Sequence, residues 1–212
     1  MADRPWLSLT LALALSLAAG PLPWEPQALA AYAAVQAPAP AAQAPALAVV
    51  QTPAGPIHEV TLANGLKVIL KENHAAPVVT WAVGYKVGSR NEPAGATGSA
   101  HLLEHMLFKG TKTLGKGQIA RLLERNGADY NAFTDYDMTC YYETYASDRL
   151  EMGLMVEAAR MRDALILDSE RQSEMTVVRN ELERGESDPG GQLWHAVGAA
   201  AYHSHPYHHP II

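Results

Sequence analysis

The chain has 212 residues, 48% apolar and 18% charged, long enough to bury a substantial core in one or two domains. A net charge of −6 and the lack of any basic stripe exclude nucleic-acid binding on electrostatic grounds. Cys140 is the only cysteine. This excludes an intrachain disulfide and a cysteine-built metal site, and Cys140 reads as a small apolar residue on a strand.

In chain order, the first element is an apolar run, LSLTLALALSLAAG, placed just after Arg4. It is too short for a comfortable membrane span, and Ala28-Leu29-Ala30 beyond it is a small-x-small site of the kind a signal peptidase cuts. Residues 1–30 are therefore predicted to be a secretory signal cleaved after Ala30. The mature chain is then secreted or periplasmic, with no permanent membrane anchor; an uncleaved anchor is the alternative reading. Residues 31–56 are rich in Ala and Pro, uncharged and aperiodic, which predicts a linker. The folded domain is predicted to span 57–212.

Alternating apolar residues flank Asn64-Gly65, the signature of a tight hairpin, with Leu66, Val68 and Leu70 on one face. A second alternating run puts Trp81, Val83, Tyr85 and Val87 on one side and stops at Gly88. A loop, NEPAGATG, leads into a helix predicted over 99–108. A second helix is predicted over 117–126, with Ile119, Leu122 and Leu123 as its apolar stripe and Gly127 as its stop. Strands follow at YNAFTD and MTCYYETYA. Asp148 is predicted to cap a third helix whose apolar stripe is Leu150, Leu154, Ala158, Met161 and Leu165. A fourth helix is predicted from about Ser169 to Arg184, and the remaining tail reads as loop. This order predicts an α+β domain, a mixed or antiparallel sheet covered by helices.

The predicted helix at 99–108 carries His101, Glu104 and His105 within an apolar run, GSAHLLEHMLFKGT. Residues three and four apart share a helical face, so the two imidazoles are stacked one turn apart with Glu104 beside them. H-x-x-E-H is the inverted form of a known zinc-peptidase motif. Two neutral imidazoles and a carboxylate would leave one coordination position for water, whose proton Glu104 would take. The motif needs a third ligand from elsewhere. The fourth helix offers Glu174 and Glu181, seven apart and so on one face. With Glu170, Glu183, Glu186, Arg171, Arg179 and Arg184 around them, a plain solvated charged face is the alternative.

These segments, from NGLKVILKENHAAPVVTWAVGYKVGS through HLLEH and NAFTDYDMTCYYE to VVRNELER, resemble the pitrilysin/insulinase family of zinc metallopeptidases. That family's pattern is H-x-x-E-H, some 75 residues, then a ligand Glu in an E-x(6)-E pair. Here residues 106–180 supply the 75, and Glu174 and Glu181 supply the pair. The resemblance implies one Zn²⁺ held by His101, His105 and Glu181, with Glu104 as general base and Glu174 orienting a ligand histidine. It implies that Asn131 and Ala132 begin a strand edge that receives an extended peptide or small-protein substrate. It further implies that the domain is one half of a clamshell whose second homologous half comes from the same polypeptide or a separate subunit. Without that half, the implied alternatives are a zinc-binding but inactive fragment or a partner subunit.

The tail, WHAVGAAAYHSHPYHHP, holds His203, His205, His208 and His209. Two prolines break any fixed ligand geometry there, so these read as loop residues, with Trp194 and Tyr207 as packing residues.

Overall fold

The computed structural model describes residues 46–212; the predicted signal at 1–30 and most of the predicted linker lie outside the described residues. The strands form two small antiparallel sheets. The first comprises β1 (Ala48–Thr52), β2 (Gly55–Thr61) and β3 (Lys67–Lys71), in the order β1-β2-β3. The β2–β3 hairpin turns where Asn64-Gly65 predicts, and Asn64 Oδ1 accepts from Leu66 N at 3.1 Å, the self-bonding that suits Asn to turns. The linker reading fails at its C-terminal end. β1 lies wholly within 31–56, because its Val49 and Val50 are β-formers that pair in register with His58 and Ile57.

The second sheet comprises β4 (Val78–Tyr85), β5 (Asp129–Thr134) and β6 (Thr139–Ala146), in the order β4-β6-β5. β6 is central, and β5 is an edge. The alternation in β4 faces Trp81, Val83 and Tyr85 inward as expected. Tyr141 and Tyr145 of β6 are fully buried against that side, and Cys140 is half-buried on the same strand.

The described residues form five helices, α1 (Ser99–Met106), α2 (Gln118–Arg125), α3 (Leu150–Asp163), α4 (Asp168–Glu186) and α5 (Pro189–Ala201), of which α1, α2 and α3 pack against the β4-β6-β5 sheet. Met106 of α1, Ile119, Leu122 and Leu123 of α2 and Val156 and Ala159 of α3 close the core, an α+β arrangement with helices packed on antiparallel sheets.

α3 departs from expectation in two ways. Asp148 does not cap it; it lies in a short 3-10 turn, Ser147–Arg149, and makes no capping bond. The expected stripe is also misplaced, since Leu150, Leu154 and Met161 are exposed. The buried face carries Gly153, Val156, Glu157, Ala159 and Arg160. The reason is an ion cluster inside the core. Arg160 Nη1 donates to Glu157 Oε1, Arg160 Nη2 lies 3.6 Å from Glu143 Oε1, and all three residues are 1% exposed. The guanidinium lies over the rings of Tyr141 and Phe108, 4.5 and 5.0 Å from their centroids, a cation–π arrangement. A charged pair in the interior inverts the rule that apolar periodicity marks the buried side. At Gly153 a Cβ would collide with the Tyr145 hydroxyl, so glycine permits the close approach of β6.

α5 is a helix where the sequence reading had a loop. Asp188 Oδ2 accepts from Gly191 N at 2.8 Å and Pro189 occupies the first turn, a sound N-terminus that the two glycines and small residues of the helix obscured. Trp194 on α5 is 65% exposed, so it is not a packing residue among the described residues. Tyr207 does pack: its ring lies 4.6 Å from that of Tyr136, and its hydroxyl donates to Asp137 Oδ1 at 2.6 Å.

Candidate metal centre and cleft

α1 begins at Gly98, whose φ of +84° is left-handed and natural only to glycine. No side chain at that position caps the helix. Glu92, from the preceding loop, does so instead: its carboxylate oxygens accept from Gly98 N at 2.9 Å and Ala100 N at 2.7 Å. An anion at a helix N-terminus satisfies free amides and complements the helix dipole. Glu92 thereby anchors the helix carrying His101, Glu104 and His105.

α1 packs against α4, which brings Glu174 and Glu181 to the two histidines. Glu181 Oε2 stands 3.4 Å from His105 Nε2 and 3.7 Å from His101 Nε2. One donor atom from each of His101, His105 and Glu181 lies within 4.8 Å of the others. Two ligands of a tetrahedral ion with bonds near 2.1 Å sit about 3.4 Å apart, so this donor set fits zinc in both type and spacing. Of the carboxylates of Glu104, Glu174 and Glu181 that line the cleft, Glu174 is paired with Lys109 at 2.6 Å.

Each histidine is held in a form suited to a ligand. Glu174 Oε2 lies 3.2 Å from His105 Nδ1, which leaves Nε2 directed toward Glu181. The other oxygen of Glu174 pairs with Lys109 Nζ at 2.6 Å. Burial holds the His101 imidazole below its ordinary range, and His105 adds to this, against the opposing pull of Glu104, Glu181 and Glu92. His101 Nδ1 is buried without a hydrogen-bond partner among the described residues.

Glu104 is buried beside this cluster. Its Oε2 accepts from Thr134 Oγ1 at 2.6 Å, and its backbone carbonyl accepts from Tyr141 OH at 3.1 Å. The cleft in front has a volume of about 570 Å³ and runs from the histidines past Phe108 and Lys109 to Tyr130, Asn131 and Ala132 on the β5 edge. Asn131 and Ala132 thus line the same cleft as the histidines. The charged-face alternative for α4 fails at Glu174, which is 6% exposed; Glu183 and Glu186 on the same helix are exposed.

Four residues that support this arrangement were not read from the sequence: Glu92, Lys109, Thr134 and Tyr141. Lys109 lies three residues past the end of α1, in the turn that follows it. The other three reach the site across loop and sheet and leave no periodic signal.

The sequence profile described as Insulinase (Peptidase family M16) matches residues 67–212. The chain is similar to the zinc protease PqqE of Helicobacter pylori, 38% identical over 156 residues, which cover 72% of this chain and 35% of that protein. It is 32% identical over 156 residues to the zinc protease YmxG of Bacillus subtilis, covering 74% of this chain and 38% of that one. A crystal structure of a Helicobacter pylori protease superposes with a TM-score of 0.67 at 34% identity, covering 77% of this chain and 38% of that one. The chain spans roughly a third of the length of these curated relatives. It belongs to the insulinase family, Peptidase family M16.

Proposed function

We propose that this chain carries the metal centre of an exported zinc endopeptidase that hydrolyses extended peptides. The observation that supports this most strongly is the convergence of His101, His105 and Glu181 donor atoms next to a buried Glu104 in a cleft bordered by an edge strand. His101, His105 and Glu181 would hold the ion, which as a Lewis acid polarises the scissile carbonyl and acidifies water. Glu104 accepts the proton of the attacking water and delivers it to the departing amine nitrogen. Glu174 holds the His105 ring by its Nδ1–H, and Lys109 balances the charge of Glu174. An extended substrate adds to the free edge of β5, so that backbone hydrogen bonds at Asn131 and Ala132 lay the scissile bond across the cleft.

Turnover is assigned to the whole protein, with a second homologous half as the partner that closes over the cleft. Coverage of only about a third of the relatives' length supports a second reading, in which residues 57–212 bind zinc but do not turn over alone. The predicted signal at 1–30 supports a site outside the cytoplasm, with the mature protein starting at Ala31.

The test is elemental analysis and peptide hydrolysis on the full-length protein. One zinc per chain is expected, retained in Glu104→Gln while hydrolysis is lost. Wild-type hydrolysis by Glu104→Gln would remove Glu104 as the base, and no zinc in the wild type would remove the metal centre. Activity of the isolated 46–212 segment, which keeps β1 and the whole of β2, separates the two readings.

A further inference from the structure

We propose that Thr134 is a positioning residue for Glu104, holding one carboxylate oxygen so that the other faces the attacking water. The proposal rests on the reading of Glu104 as general base. Glu104 is gripped at two points by a single hairpin, β5–β6. Tyr141 OH of β6 donates to its backbone carbonyl at 3.1 Å, and Thr134 Oγ1 of β5 donates to its Oε2 at 2.6 Å. A distance of 2.6 Å is that of a charge-assisted O–H···O⁻ bond.

The direction of that bond is set by its neighbours. Thr134 and Thr139 are directly paired across the hairpin, with their hydroxyl oxygens 3.3 Å apart. A hydroxyl has one proton to donate. Thr139 donates its proton to Val87 O at 2.9 Å, which leaves its oxygen only to accept. The Thr134 proton therefore has two acceptors, the nearby carboxylate and the more distant Thr139 oxygen. The shorter, charged one wins, which pins Oε2. Oε1 makes no hydrogen bond among the described residues, and Glu104 lines the cleft.

A glutamate has three side-chain torsions to order, and a base displaced by an ångström loses much of its effect. Thr134 removes that freedom before substrate arrives. Its substitution therefore acts on the chemical step and leaves metal and substrate binding in place.

The test uses the full-length protein, measuring kcat, KM and zinc content for Thr134→Val, Thr134→Ala and Thr134→Ser beside Glu104→Gln. The two hydroxyl-free variants are expected to lose about 10- to 100-fold in kcat with KM within about twofold, the scale typical of residues that orient a reacting group. Zinc is expected to stay at the wild-type stoichiometry, and Thr134→Ser to recover most of kcat. Wild-type kcat in either folded hydroxyl-free variant, with Glu104→Gln inactive, overturns the positioning role alone. Loss of zinc together with activity also overturns it. Retained activity in Glu104→Gln overturns the base reading instead.

Discussion

Glu174 Oε2 stands 3.2 Å from His105 Nδ1, while its Oε1 stands 2.6 Å from Lys109 Nζ, so one buried carboxylate joins a ligand-type histidine to a lysine three residues beyond the end of α1. The imidazole is thereby held with Nε2 toward Glu181. Replacing Glu174 by Ala frees the ring to rotate and strands Lys109. We expect Glu174→Ala to weaken zinc binding by about 10- to 100-fold, measured by competition with a chromogenic chelator. Glu174→Gln, which still offers an oxygen, should lose less. Unchanged affinity in both would disconnect Glu174 from the centre.

Among the described residues Arg160 is the one cation paired with the two buried carboxylates Glu143 and Glu157, and it also packs on Tyr141, the residue that holds the Glu104 carbonyl. Removing one partner of a buried ion cluster leaves uncompensated charge. Arg160→Met should destabilise the chain by about 3–5 kcal/mol in urea unfolding. Adding Glu143→Gln and Glu157→Gln should return a large part of that loss, since the uncompensated carboxylates are then gone. An Arg160→Met variant as stable as wild type would show that the cluster is not buried in solution.

The same cluster gives a pH dependence with a definite sign. Burial, and secondarily Glu157, pushes the Glu143 carboxyl from an ordinary 4.5 up to about 8, with Arg160 opposing. Between these values the folded chain holds a proton that the unfolded chain has released. This contribution is most favourable below pH 4.5 and is lost as pH rises through 8, with a slope of at most about 1.4 kcal/mol per pH unit for one proton. Denaturant midpoints compared at pH 6 and pH 8.5 should fall with pH, and Glu143→Gln should flatten that fall. A midpoint independent of pH in the wild type would contradict it.

At Gly153 the ordinary helix preference is reversed. Alanine in place of glycine within a helix usually stabilises by up to about 1 kcal/mol. Here the added methyl would run into the Tyr145 side chain of β6, so Gly153→Ala should cost about 1–3 kcal/mol. Thermal melting of the single variant and of a double variant with Tyr145→Phe checks this; the double variant should regain part of the loss, because the hydroxyl is the nearest atom. A melting temperature at or above wild type in the single variant would refute the clash.

Much of the site was legible before any coordinates. The H-x-x-E-H spacing places three groups on adjoining faces of one helical turn. The interval to Glu181, with Glu174 two turns before it, singles out two carboxylates among several on α4. What the sequence hid were contacts made at right angles to its periodicities. Thr134 looked like one more strand residue and Glu92 like part of a loop, and nothing in the spacing marked Arg160 for the interior. For two of them a partner lies far away in sequence, 30 residues for Thr134 and Glu104 and 17 from Glu143 to Arg160, while Glu92 reaches 6 and 8 residues ahead out of an aperiodic loop. The α3 stripe failed for the same reason, since a buried ion cluster turns the polar side of the helix inward.

By itself, the sequence determined which side-chain chemistry the chain can offer: two imidazoles, three carboxylates, and strands and helices enough for an α+β domain. Local spacing suffices for this, because a helix of 3.6 residues per turn converts sequence intervals directly into shared faces. Only the tertiary structure decided that α4 lies against α1 so that Glu181 comes within 3.4 Å of His105, and that β5 forms the edge beside them. It also decided that a threonine and a tyrosine from one hairpin hold Glu104 at both ends. Such relationships depend on how helices dock on a sheet, and that is set by packing of the whole core, to which no local interval corresponds.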